Sequence, residues 1–278
     1  MDLLRYEWVK IYKITDGSIE MKKILIVLSY IAMISLNALA NILPINGENT
    51  GVISDSYPNL FAPAGYTFSI WGVIYILLGI LVFYLVRQKT IDKDTERVKS
   101  LNQISTWFII SSFANAVWIL TWHYRMIGIS VVIMLIILIS LIIMMRQVIK
   151  TSLMKSDIVW IKPPIGVYFG WITVATVANI TTLLVSIQWD GFGIADEIWM
   201  IGILIVSALI ACAAMLWSRC GAYGLVIIWA YIGIWSKHTS ETGFDSQYGG
   251  VLITLYVTLA IIILVTGFVM KAQISRKI

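Results

Sequence analysis

The sequence predicts an all-α polytopic membrane protein with about eight transmembrane helices, and three observations predict it. First, 59% of the 278 residues are hydrophobic and only 13% charged, about half the charge of a soluble domain. Second, apolar stretches of about 20 residues recur along the chain, the length that spans roughly 30 Å of hydrocarbon as a helix. Third, lysine and arginine fall on alternate loops, as they do in polytopic membrane proteins. A transmembrane β-barrel would show ten-residue alternating segments, which this sequence lacks.

The apolar runs place spans near 24–43, 64–86, 101–122, 127–145, 163–185, 198–217, 222–236 and 250–270, the seventh being the shortest. Loop charge tests that count. The segment before span 1, the loops after spans 2, 4 and 6, and the C-terminus together carry 18 of the 20 basic residues. Only Arg125 and Lys237 lie on the other set. Eight spans with both termini cytoplasmic give this partition, and losing one would scramble it. The formal charge of +5 is therefore a topology signal, aided by contact with anionic membrane lipid, and no nucleic-acid partner is expected.

Three regions outline the chain: a cytoplasmic segment 1–23, a bundle 24–186 and an extension 187–278. In the first, Trp8, Ile11 and Tyr12 among basic residues fit either a short interfacial helix or a disordered segment. Lys22–Lys23, the apolar run from Ile24 and the triplet Ala38–Leu39–Ala40 also fit a signal peptide. The apolar stretch continues through Ile42 and Leu43, so a retained span is expected. The first outer loop, PINGENTGVISDSYPNLFA over 44–62, is rich in turn formers and longer than an ordinary connection. It reads equally as a binding lid or as a solvated linker.

Aspartate, glutamate, lysine and arginine are missing from all eight spans as drawn, whereas ion-coupled pumps keep a carboxylate or a base at membrane depth. His123 and His238 fall at outer helix ends and are expected to be solvated surface residues. Cys212 and Cys220, eight apart without a CxxC, predict neither a zinc site nor a disulfide framework. No metal is expected and no catalytic residue can be nominated.

The spans carry instead aromatic and amide stripes at helical spacing. Phe68, Trp71, Tyr75 and Leu78 share one face of span 2. Ser111, Asn115, Trp118 and Trp122 share a face of span 3, and Pro164, Tyr168, Trp171, Ala175 and Asn179 a face of span 5. Span 1 adds Ser29, Met33, Asn37 and Asn41. Interfacial belts account for Trp107, Trp160, Trp189, Trp199 and Trp217, all near span ends. Trp71 and Trp171 sit about eight residues inside their spans, about 12 Å deep. Structural packing and an uncharged aromatic pocket for a flat apolar ligand both fit these stripes.

The segment Pro58–Ile80 resembles the second-helix signature of the TspO/MBR family, the tryptophan-rich sensory proteins related to the mitochondrial translocator protein. Pro58, Pro63, Phe68, Ile70, Trp71 and Tyr75 match, whereas Leu60 replaces a tryptophan and Ala62 the first proline of a pair. Ala114–Trp118 is similar to the family's L-N-x-x-W, and Val167–Asn179 to its P-Y-x-x-W-x-x-x-A-T-x-x-N with Val167 in place of proline. The resemblance covers roughly 24–186 and implies a five-helix bundle followed here by three added helices.

The resemblance further implies a cavity for porphyrins, haem-related tetrapyrroles, sterols and synthetic ligands. Phe68, Trp71, Tyr75, Asn115, Trp118, Tyr168, Trp171 and Asn179 would form its site. Trp71 and Trp171 correspond to the pair to which photo-oxidative porphyrin chemistry is ascribed in some members. No cofactor is required, a tetrapyrrole is the expected ligand, and a homodimer in a bacterial cell membrane is the expected state. The reading is thus a membrane receptor or sensor for an apolar, planar molecule.

A transporter or permease for a lipophilic solute is the alternative. Pro63–Trp71 and Pro163–Trp171 repeat one spacing in oppositely oriented spans, a hint of inverted repeats. A membrane enzyme would need a metal set, a nucleophile–base pair or a cofactor loop, and the sequence offers none of these.

Overall fold

A computed structural model describes residues 2–43, 45–88, 95–151 and 153–275, with side chains for all of these except 2–19 and 41. The side chains of Trp8, Ile11, Tyr12 and Asn41, and residues 89–94 with Lys89 and Lys93, lie outside that description. Nine α-helices are described: α1 Asp2–Ile42, α2 Thr50–Asp55, α3 Ile70–Arg87, α4 Glu96–His123, α5 Ile127–Lys150, α6 Lys155–Ser186, α7 Asp196–Ser218, α8 Gly221–Thr239 and α9 Gly249–Ser275.

Local chemistry sets several boundaries. Thr95 caps α4 by accepting from Val98 N at 3.3 Å, and Asn49 caps α2 by accepting from Val52 N at 3.0 Å. Arg219 turns left-handed at φ 49° and ends α7, so that α8 can fold straight back. α6 begins at Lys155 and runs through Pro163 and Pro164, eight residues ahead of the predicted span. A membrane helix tolerates such prolines where neighbours re-satisfy the freed backbone groups.

α1, α4, α5, α6 and α3 pack in that cyclic order and close a five-helix ring. α8 lies against the outside of α6, and α7 and α9 pack on α8 and on each other. Among the described residues seven helices are long and apolar enough by themselves to cross a bilayer, and α8 is not one of them. Its 19 residues reach about 28 Å, and its contacts run from one end of the bundle to the other, as the eighth predicted span requires. Gly221 N at its start donates to Gln273 Oε1 near the end of α9 (3.1 Å). His238 at its far end meets the Leu60 carbonyl (2.9 Å) in the loop before α3. α8 carries low hydropathy because it faces protein: Gly221, Tyr223, Gly224, Val226, Ile227, Ala230, Tyr231, Gly233 and Ile234 are all buried.

Polar contacts sort the helix ends into two groups. One end gathers Lys22 with Asn102, Arg97 and Tyr84 with Asp157, and Gly221 with Gln273. The opposite end gathers Asn46 with the His123 carbonyl, Arg125 with Glu48, Lys237 with Asp55, and Gly250 N with Glu197. Spans 1 and 8 therefore have their outer termini at the same end, which is the end rich in lysine and arginine. The charge rule predicts that this end is cytoplasmic. A reporter fused after Lys155 is expected to read cytoplasmic, and reporters after Asn49, Asp190 and Asp245 external. A cytoplasmic signal from the Asn49 fusion would overturn the orientation.

The two histidines depart from expectation. Both have zero exposure. The loop after α1 folds over His123, whose Nδ1 meets the Ile119 carbonyl at 2.8 Å. His238 is covered by Phe244, 4.7 Å away centre to centre, and by Tyr248. Sequence position placed them at helix ends, but the loops that bury them are tertiary features.

Candidate ligand-binding site

The site grows from one residue, Trp71, where the 3-10 turn Gly65–Ser69 passes into α3. Its ring stacks on Tyr75 of the same helix (5.5 Å, 22°). It meets Trp118 of α4 at 6.5 Å, and Tyr168 and Trp171 of α6 at 6.1 Å each. Phe68 sets its edge against Trp171 at 5.9 Å, and Trp118 stacks on Trp122 at 5.6 Å. Stacked and edge-to-face pairs at these separations are the favoured aromatic geometries. Three predicted stripes from three helices thus converge on one cluster. Trp171 is the seventeenth of the 32 residues of α6, so the cluster sits near the middle of that helix.

Amides fix the rings from behind. Asn37 donates to Asn115 Oδ1 (2.7 Å), and Asn115 Nδ2 donates to the Tyr168 hydroxyl (3.0 Å), tying α1, α4 and α6 together. Trp118 Nε1 donates to Asn179 Oδ1 (3.0 Å), and Asn179 Nδ2 donates to Ser130 Oγ (2.9 Å) on α5. Each amide is buried and partnered, as lipid-embedded polar groups must be. The indole nitrogen of Trp171 is buried without a hydrogen-bond partner among the described residues.

The cluster borders two chambers. The first, a cavity of about 50 Å³, is walled by Phe68, Trp71, Trp118, Trp122, Trp171 and Asn179. Pro63, Val174, Ala175 and Ala178 complete it with small apolar surface. The second, about 490 Å³, lies beneath α2 and is lined by Asn37, Asn49, Asp55, Ser69 and Tyr75 among others. Thr50, Phe68, Trp71 and Trp118 belong to both walls. Of the eight predicted site residues, Phe68, Trp71, Tyr75, Trp118, Trp171 and Asn179 line a chamber. Asn115 and Tyr168 have zero exposure, belong to neither lining, and hold the wall in place.

Sequence reasoning missed the loop contribution: Thr50, Ser54, Asn59 and Ala62 line the first chamber. Thr50 and Ser54 lie on the six-residue α2 and Asn59 and Ala62 on irregular chain, all too short for a period to be read, so only the loop's length and turn formers hinted at a role. The loop is tied to the bundle by Trp122 Nε1 on the Thr50 carbonyl (3.3 Å) and by Arg125 on Glu48 (2.6 Å) and Ser56 (2.8 Å). α8 holds the next stretch, with Trp229 Nε1 on the Thr67 carbonyl (3.0 Å) and Ala64 N on the Gly233 carbonyl (2.9 Å). No group of three or more potential metal-binding side chains occurs among the described residues. The arrangement offers apolar surface, ring faces and hydrogen bonds, the means of binding.

Comparison with known proteins agrees with this architecture. The model of a family described as TSPO-like protein matches residues 23–269, which takes in α7–α9 as well as the five-helix ring. The comparisons with curated proteins and with solved structures return no match. With the match running over nearly the whole of an all-helical membrane bundle, the chain belongs to the TSPO-like protein family.

Proposed function

We propose that this protein is a membrane receptor or sensor that binds an apolar, planar molecule (a tetrapyrrole, a sterol or a lipid-like compound) in the aromatic chamber. The observation that carries the reading is the Trp71 hub, with four ring neighbours from three helices bordering a small apolar cavity. A flat apolar body gains from every ring it meets, and the wall carries no ionised group that would have to be desolvated.

The test is tryptophan-fluorescence quenching in neutral detergent by protoporphyrin IX dimethyl ester, a planar tetrapyrrole without free charge. Each aromatic pair contributes about 0.5–1.5 kcal/mol beyond area burial, so losing an indole should weaken binding about tenfold. Trp71→Leu and Trp171→Leu are expected to raise Kd by that factor. Trp199→Leu serves as the control, since its indole bonds to the Gly191 carbonyl (2.9 Å) away from both chambers. Unchanged affinity in both core variants, or an equal loss in the control, would reduce these tryptophans to packing residues.

A further inference from the structure

We propose that His238 is a pH-operated latch: neutral, it is closed in beneath the turn that follows α8 while it holds the loop before α3, and protonated it opens that turn. The inference goes beyond ligand binding and does not depend on it.

The ring's two nitrogens stand in different positions. Nε2 meets the Leu60 carbonyl at 2.9 Å, and because a carbonyl only accepts, Nε2 carries the proton. Nδ1 is buried without a hydrogen-bond partner among the described residues. Phe244 covers the ring at 4.7 Å and Tyr248 at 6.0 Å. A neutral imidazole fits this slot, with its one donor used and one lone pair idle. An imidazolium does not fit, since its second N–H would be buried among aromatic rings with nothing to accept it. Burial accordingly holds the His238 pKa below the ordinary histidine value.

The charges around the slot do not offset that cost. Lys237 pairs with Asp55 of α2 at 3.5 Å, and Glu197 of α7 accepts from Gly250 N at 3.2 Å. Glu241 and Asp245 of the covering turn are exposed, and Tyr248 contributes only its ring. None of these groups bonds to Nδ1. The turn itself is strained: Asp245 and Ser246 are left-handed at φ 44° and 58°, a region that side chains seldom adopt. Asp245 N on the Ser240 carbonyl (3.1 Å) and Ser246 N on the His238 carbonyl (2.8 Å) hold it so. Lifting Phe244 relieves the strain as it lets water reach Nδ1.

The sign follows from which form the closed state keeps. Closure favours the neutral ring, so it is complete above the ordinary histidine pKa of about 6.5 and is lost as pH falls below that value. His238 lies at the end that the charge rule makes external, so the pH sensed is the outside one. Leu60 stands between Asn59 and Ala62, which line the aromatic cavity, so the latch governs how firmly that wall is held.

The chain has only two histidines, so selective ¹⁵N-histidine labelling in detergent micelles resolves each imidazole, and His238→Gln assigns them. 4-Fluorophenylalanine in place of Phe244 reports the cover by its ¹⁹F shift. His238 should protonate on the acid side of its ordinary value, and the ¹⁹F signal should move to its solvent position over the same pH range. His238→Gln keeps an amide donor for Leu60 but takes up no proton, so its ¹⁹F signal should stay in place. Phe244→Ala leaves the histidine and removes its cover, and should shift the His238 titration upward. A His238 that titrates at or above the ordinary value overturns the latch. So does a cover that stays closed when His238 is protonated, one that opens equally in His238→Gln, or a titration that Phe244→Ala leaves unmoved.

Discussion

Replacing Gly170 by leucine is expected to destabilise the protein by about 3 kcal/mol, because the contact between α6 and α8 is made by backbone. A Cβ on Gly170 would lie 2.8 Å from the Tyr223 carbonyl oxygen and 3.1 Å from Val226 Cβ. One turn earlier, a Cβ on Gly166 would run into Cys220 Sγ. Glycines four apart that admit a neighbouring backbone are a recurrent device of helix association in membranes, where dispersion and close fit replace the hydrophobic drive between helices. A side chain at Gly170 meets main chain that has no rotamer to yield, so α8 must move. Overpacking of this sort costs about 1–3 kcal/mol.

Moving α8 also strains its hold on the stretch before α3, through Trp229 on Thr67, Gly233 on Ala64 and His238 on Leu60. Those three bonds contribute about 0.5–1.5 kcal/mol each, so losing part of them brings the total to the expected figure. In a thermal melt in mild detergent, the midpoint should fall by roughly 6–12 °C. The control is Gly202→Leu on α7, where an added Cβ meets nothing within 4 Å. Equal melting of the two variants would show that α6 and α8 are not pressed together in this way.

The residues explain how much of this was legible beforehand. Seven spans announce themselves because each faces lipid on one side and must be apolar there. α8 is weaker in sequence because protein covers it nearly all round, and only Leu225 among its large apolar residues is mostly exposed. The stripes of α3, α4 and α6 point at one another because a helix repeats its face every three or four residues, so Trp71, Trp118 and Trp171 could be paired before any coordinates. Asn115 and Tyr168 sit on the same stripes but behind the wall, a distinction of a few ångströms that spacing does not encode. Thr50 on the short α2, Asn59 after it, and the loop residues that cover His123 and His238 lie outside the long helices, where spacing gives no face to read. Asp157 was invisible for another reason: it stands just outside the span as drawn, in a loop that looked simply basic.

Asp157→Ala is expected to be the most damaging single substitution at the basic end. Its side chain is fully buried, yet it carries a carboxylate. Arg97 grips it with Nε at 2.8 Å and a terminal nitrogen at 2.7 Å, Tyr84 donates its hydroxyl at 2.7 Å, and Met154 N donates at 2.8 Å. Four donated bonds from α3, α4 and the start of α6 meet on two oxygens, so the helices that carry Trp71, Trp118 and Trp171 are pinned at one point. Removing one member of a buried ion pair costs about 3–5 kcal/mol, chiefly because the partner is left charged and unpaired.

Arg97 is one fifth exposed, and water will recover part of that loss, which places the expectation near 3 kcal/mol. The origin of the cost can be separated by further variants. Tyr84→Phe removes one neutral donor and should cost about 1 kcal/mol. Arg97→Met combined with Asp157→Leu removes both charges, and should recover most of what Asp157→Ala loses, since apolar replacement of a buried pair is often nearly neutral. The pair Lys99–Glu96 lies nearby but is long at 3.6 Å and largely exposed, so Glu96→Gln should change stability by less than about 0.5 kcal/mol. Equilibrium unfolding of the four variants in one detergent orders them directly. If Asp157→Ala is no worse than Glu96→Gln, or if the double variant is as unstable as Asp157→Ala, the clasp is a surface contact and the bundle is held by packing alone.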